Sequence, residues 1–191
     1  MSIENKIKSK LFKIAFKELL EGNWKNLNIK SLSLKSKLSV EETLSIITSK
    51  EELLDIWSHE INLKIMNLVS VKELKDVSKK DRILELMLCR LDVLEDYRTE
   101  IFALMTLSRE NTLETCMAWS RINKAMKYIM NISNIDTNGK KGMLKIKVLS
   151  IIWIITIKEW QQSKTKDNTF VMSNLDKRLT KIDKLNSTIL N

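Results

Sequence analysis

The chain has 191 residues, 43% hydrophobic and 30% charged, with no proline, three glycines and a net charge of +9 at pH 7. That length can bury a core without disulfide or metal staples, and so few breakers and turn formers exclude a strand-rich fold and imply an all-α one. Cys89 and Cys116 are too few and too far apart for a disulfide framework or a metal cluster, which points to a reducing cytosol, and the single His59, expected to be partly buried, excludes sites built on paired histidines.

Hydrophobic spacing predicts about nine helices. The first covers residues 3–20, with Ile7, Leu11, Ile14, Ala15 and Leu19 on one face and lysines on the other. Those lysines interrupt the apolar run, so the start does not read as a signal peptide. Gly22 is placed to cap this helix, after which Trp24 and Leu27 pack. A short helix is expected over residues 29–37 with Ile29, Leu32 and Leu34 inward, then a turn at Leu38-Ser39. Ser39 with Glu42, and Ser49 with Glu52, have capping-box spacing and open helices over residues 40–47 and 50–68. The fourth helix turns Leu53, Leu54, Trp57, Ile61 and Ile65 inward. A polar joint follows over residues 70–80. Helices are then expected over residues 81–94, 97–107 and 113–132, a loop over 131–142, and helices over 143–162 and 167–190.

Residues 28–54 have the layout of a helix-turn-helix reader of the DNA major groove, yet the short third helix opens on Glu41 and Glu42, which a polyanion repels. The basic charge flanks that helix. Residues 1–37 carry nine Lys against three acids, residues 38–60 one Lys against six acids, and residues 139–191 eleven basic residues against four acids. The expected contacts to duplex DNA are Lys30, Lys37 and Lys50 on phosphates, with Lys35 in support, and Thr43 and Ser45 on bases or phosphates.

The segment from Asn134 to Gly139 matches the first half of a calcium-binding loop, but its twelfth position is Lys145 where a bidentate carboxylate is required, so it reads as a glycine-containing turn. Asp92, Glu95 and Asp96 cluster at helix ends where acids sit in solvent. No catalytic constellation, metal site or cofactor loop stands out, and a non-enzyme is expected. Met87, Met105, Met117, Met126 and Met130 suggest an adaptable pocket for a small apolar ligand. The run from Val148 to Ile157 is too short to span a bilayer but apolar all round. Such a helix needs cover on every side, and pairing with a second copy through Ile151, Trp153, Ile154 and Ile157 gives a homodimer. The last helix carries Leu175, Leu179, Ile182 and Leu185 beside Lys177, Arg178, Lys181 and Lys184, a basic amphipathic pattern that packs on the body or meets an anionic membrane peripherally.

These blocks together resemble the tetracycline-repressor (TetR) family of transcriptional regulators, through Asn28-Ile29-Lys30-Ser31-Leu32, Leu38-Ser39 and Ser49-Lys50-Glu51-Glu52-Leu53-Leu54. The rest of the chain is similar to an alphaproteobacterial subgroup, through Asn134-Ile135-Asp136-Thr137-Asn138-Gly139 and Leu175-Asp176-Lys177-Arg178-Leu179. The resemblance implies a helix-turn-helix head over residues 1–57 and a ligand-binding, dimerising body over residues 58–191, in a cytoplasmic homodimer. The subgroup also resembles the coenzyme Q biosynthesis accessory proteins, which share the TetR-type fold; by that likeness they bind an isoprenoid lipid and serve ubiquinone biosynthesis without reading DNA. Their stretch before the penultimate helix is richer in aromatics than residues 136–141 here. The head departs from the family pattern where Lys37 replaces a turn glycine, Leu44 a tyrosine and Ile47 an aromatic residue.

Overall fold

A computed structural model describes residues 3–69, 76–163 and 168–185. Among these residues there are nine α-helices and no strand: α1 (Ile3–Leu20), α2 (Ile29–Ser36), α3 (Val40–Leu44), α4 (Lys50–Leu68), α5 (Lys79–Glu95), α6 (Arg98–Glu110), α7 (Thr112–Ile132), α8 (Gly139–Gln162) and α9 (Thr169–Leu185), with a 3-10 turn at Trp24–Asn26. Residues 70–75 of the polar joint expected over 70–80 and the last expected turn, residues 186–190, lie outside the described residues, and the joint ends earlier than expected because α5 starts at Lys79. No helix among the described residues is long and apolar enough to cross a membrane.

Three helices end the same way. After α1 the chain turns at Gly22 (φ 77°), after α2 at Lys37 (φ 55°) and after α7 at Asn134 (φ 57°). In each case the N–H of the left-handed residue and the next N–H reach back to carbonyls of the last turn: Gly22 and Asn23 to Leu19 and Glu18, Lys37 and Leu38 to Leu34 and Ser33, Asn134 and Ile135 to Asn131 and Met130. Those bonds satisfy carbonyls that a helix end leaves open. Glycine and asparagine tolerate this backbone, but lysine does not without strain.

The expected loop over 131–142 is shorter, because α8 starts at Gly139. Its sharp entry is held by Asp136, whose carboxylate accepts from the backbone and side-chain amides of Asn138, both at 2.9 Å. Gly142 lies against the Thr137 backbone so closely that any Cβ there would overlap it.

The chain divides into two compact units, Met1–Glu60 with Tyr97–Met117, and Ile61–Asp96 with Ala118–Asn191. The first therefore takes in α6 and the start of α7 in addition to the expected head. Trp24 donates its indole N–H to buried Glu114 of α7 at 3.0 Å. Phe16 and Tyr97 meet Trp57 edge-on, with ring centroids 5.2 and 5.3 Å from it. A buried Glu18 pairs with Lys35 at 2.5 Å, tying α1 to α2.

In the second unit, α5 buries Ile83, Leu86, Met87, Arg90, Leu91 and Leu94 along one stripe. The Trp160 indole of α8 donates to Glu95 of α5 at 2.9 Å, which removes Glu95 from the solvent-facing acidic cluster expected there. Arg178 of α9 forks onto Glu159 of α8, with its Nη1 at 2.7 Å, and Asp176 of α9 pairs with Lys80 of α5 at 2.8 Å. Val171, Leu175 and Leu179 are buried and line up at helical spacing on α9.

Candidate nucleic-acid interface and ligand site

The helix-turn-helix of the first unit is built from side chains that cap and stitch. The Asn28 carboxamide accepts from the Ser31 N–H at 3.0 Å while Ser31 Oγ accepts from the Asn28 N–H at 3.0 Å. Ser39 and Glu42 do the same for α3, at 3.0 and 2.7 Å. The backbone N–H and hydroxyl of Ser39 hold the Glu42 carboxyl below the usual carboxylate range, so Glu42 is a structural cap and only Glu41 remains an uncommitted acid on α3. Between the two helices, Ser33 donates to the Thr43 hydroxyl at 2.8 Å, and Thr43 donates to the Ser39 carbonyl at 3.0 Å. Helix α3 itself is shorter than the expected 40–47; beyond Leu44 the chain turns through Ser45 and Ile46 before α4.

The expected DNA contacts divide in two. Lys30, Lys37 and Ser45 are exposed, and Ser45 donates its hydroxyl back to the Glu42 carbonyl at 2.8 Å. Thr43 is 0% exposed, and its hydroxyl bonds lie inside the head. The Lys50 ammonium donates to the carbonyls of Trp24 (2.6 Å) and Lys25 (3.3 Å) and sits 5.4 Å from the centre of the Trp24 ring. Lys35 is committed to Glu18. Exposed apolar side chains share this surface with exposed Ser39, Glu41 and Glu42: Leu34, expected to point inward, is 80% exposed, Val40 42% and Leu44 48%. His59, expected to be partly buried, is exposed on α4.

The five methionines do not form one lining. Met87, Met126 and Met130 are buried in the second unit, whereas Met105 and Met117 belong to the first and are only half-buried. In the second unit a cavity of ≈ 10 Å³, room for about one water, is lined by residues that include Ile83, Met130, Leu149, Ile152 and the buried Lys145. The four residues expected at a dimer interface also separate. Trp153 and Ile157 pack inside the unit's own core, and Ile151 and Ile154 are exposed and half-exposed on α8, beside exposed Ile155. The apolar stripe of α9 is covered by its own unit, leaving Phe170 and Met172 exposed near its start; the Leu185 side chain lies outside the described residues.

Sequence reasoning missed one residue of this unit. Arg90 of α5 is buried, donates Nη1 to Asn62 of α4 at 2.5 Å and lies 5.8 Å from the Trp153 ring centre, while its Nε has no partner. The signal was present, because Arg90 stands three residues after Met87 and seven after Ile83, in register with the buried stripe.

The sequence matches no family model and no curated protein. Solved structures do match over nearly the full chain. A TetR transcriptional regulator from Nitrosomonas europaea superposes with a TM-score of 0.68 at 15% identity, covering 95% of this chain and 98% of that one. A TetR transcriptional regulator from Rhodococcus sp. RHA1 superposes with a TM-score of 0.63 at 10% identity, covering 97% and 99%. The chain has the TetR-like fold, all-helical throughout its described residues.

Proposed function

We propose that this chain is a DNA-binding transcriptional regulator that acts as a cytoplasmic homodimer and responds to an apolar ligand. The observation that carries the reading is the α2–turn–α3 unit with both capping boxes closed, within a fold shared end to end with solved TetR regulators. Lys30 and Lys37 take phosphates and Ser45 reaches the groove, while Thr43 and Lys50 position the reading helix from inside the head. Glu41 opposes this contact, so binding rests on few phosphates and is weak, with a shallow salt dependence. Ile151, Ile154 and Ile155 cover one another across the dimer, and the ligand enters the second unit at Met87, Met126 and Met130. A ligand that favours one spacing of the two heads shifts operator affinity by its differential affinity for the two states. Gel shift against duplex from the region upstream of the chain's own coding sequence, at low salt, is expected to show a retarded band that random duplex does not compete away. Equal competition by random duplex would overturn the reading.

A second reading has one observation in its favour: Leu34, Val40 and Leu44 are exposed where a DNA reader carries polar groups. On this reading the chain keeps the fold, no longer reads DNA, and holds an isoprenoid lipid as an accessory to ubiquinone biosynthesis, with Phe170, Met172 and the lysines of α9 touching a membrane surface. It predicts a neutral quinone or isoprenoid in native mass spectra of freshly purified protein, and weaker liposome binding on truncation after residue 167.

A further inference from the structure

We infer that Arg90 is the anchor of a ligand site in the second unit that takes the carboxylate of an acidic amphiphile, with Asn62 and Trp153 holding the guanidinium in place. The inference rests on the ligand-responsive reading above and specifies the charge of that ligand.

Burying a guanidinium costs several kcal/mol unless a carboxylate or a full set of acceptors compensates. Arg90 is 6% exposed, and none of its contacts among the described residues is to a carboxylate. Burial lowers its pKa only to about 10, so it keeps its charge at neutral pH. Its compensation is one acceptor, Asn62 Oδ1 at 2.5 Å, and the face of Trp153. An arginine has five N–H donors in a planar fork. Asn62 occupies Nη1, and Nε is buried without a partner. The edge that includes Nε is the side-on edge on which a carboxylate accepts two parallel hydrogen bonds. A charge held this way is a poor structural element but a preorganised receptor: most of its desolvation precedes the arrival of the anion.

The surroundings define the rest of the ligand. On α5 the side chains one and two turns before Arg90 are Met87 and Ile83, and Ile83 lines the cavity together with Met130, Leu149 and Ile152. Seven residues of helix span about 10 Å, the distance along α5 between Arg90 and the cavity, whose lining also includes the buried Lys145. Neither Arg90 nor Met87 lines the cavity in this structure. Met87 and Met130 are unbranched thioethers that repack at low cost, and an alkyl chain would displace them. The chemistry is therefore a carboxylate on a flexible apolar chain, and it excludes a neutral quinone or alcohol as the preferred occupant.

The test uses the full chain without DNA, so that failure of operator binding and failure of this site are read separately. Dodecanoate, dodecanol and dodecyl phosphate are titrated, with native mass spectrometry and thermal melts as readouts. Dodecanoate is expected to form a one-to-one complex and raise Tm, with dodecanol bound at least ~10-fold more weakly, as loss of charged hydrogen bonds implies. The double variant Arg90→Met/Asn62→Leu removes both buried polar partners, so it is expected to melt no lower than the parent and to bind dodecanoate at least ~10-fold more weakly. Arg90→Lys keeps the charge, loses the fork, and is expected to bind in between. Equal affinity for dodecanoate and dodecanol overturns the proposal. So does a double variant with unchanged dodecanoate affinity, or one that melts well below the parent, which would make Arg90 a structural residue. Dodecyl phosphate binding in place of dodecanoate overturns the carboxylate assignment. If the carboxylate binds, its release of operator DNA in the gel shift then joins the site to the regulator.

Discussion

Lys50 and Arg90 are cations held over tryptophan rings, one in each unit, at 5.4 and 5.8 Å from the ring centres. Lys50 also donates to two backbone carbonyls. Its ring, Trp24, donates in turn to Glu114, so the arrangement closes on itself. Arg90 has one acceptor and a buried nitrogen with none. The head commits its polar groups to its own backbone, and the second unit keeps a charged group available in its core. A fold that has to present a fixed surface gains from the first arrangement, and a fold that has to admit a ligand gains from the second.

The strongest test of that contrast is to remove one polar partner in the head. Glu114→Leu leaves the buried Trp24 N–H without an acceptor and is expected to lower stability by about 2 kcal/mol in urea unfolding, the cost of an orphaned buried donor. Glu114→Gln retains an acceptor oxygen and is expected to keep most of that stability. Removing both partners at once in the second unit, in Arg90→Met/Asn62→Leu, leaves no orphan and is expected to cost nothing. If Glu114→Leu is neutral, the head is not held by its polar groups and the comparison fails.

A smaller effect tests the one strained point in the head. Lys37 occupies a left-handed position at φ 55°, ψ 43°, which costs a non-glycine residue about 1–2 kcal/mol. Lys37→Gly relieves that strain and gives back about 0.4–1 kcal/mol through a looser unfolded chain. The net expectation is a gain of roughly 0.5 kcal/mol in unfolding free energy, together with weaker DNA binding and a shallower salt dependence, because one phosphate contact goes. Stability and DNA affinity moving in opposite directions is the signature of a residue kept for its charge. Both rising would remove Lys37 from the interface.

Much of this was legible in the sequence. The Ser39/Glu42 capping pair, the Gly22 stop and the inward faces of α1 and α4 follow from local chemistry, and local chemistry decides them in the structure; at α4 only half of the expected pair forms, since Ser49 accepts from the Glu52 N–H while the Glu52 carboxylate turns to Thr48. The turn at Lys37 was visible only as a departure from the TetR pattern; that it is left-handed depends on the backbone. What one chain position cannot show is which neighbour arrives from far away. Lys50 has the composition of a phosphate contact, and its carbonyl partners lie 25 and 26 residues earlier. Leu34 was placed inward by spacing, but on an eight-residue helix the apolar arc is too short to fix the facing side. Trp153 and Ile157 read as part of an all-round apolar helix because sequence does not reveal which sides its own core covers.

The smallest expected effect concerns how the head's caps respond to acid. The backbone N–H and then the hydroxyl of Ser39 depress the Glu42 carboxyl, and Thr48 depresses Glu52 by the same two bonds. A carboxylate whose folded pKa lies below its unfolded one adds stability above the unfolded value, and that stability is lost as pH falls through the folded value. The head is therefore expected to weaken as pH drops below the usual carboxylate range, with α3 fraying first. Glu42→Gln keeps an oxygen to accept from the Ser39 N–H but has no proton to gain. Melting followed by circular dichroism from neutral pH downward is expected to give a variant with a slightly lower Tm at neutral pH and a shallower acid limb than the parent. In the second unit the Asp81 carboxyl is depressed first by Lys80 and only then by Ser78, so its acid response is expected to weaken with added salt, while that of Glu42, set by hydrogen bonds, is expected to persist. If salt flattens both alike, the Glu42 cap is held by net charge and the distinction drawn between the two units does not extend to their helix starts.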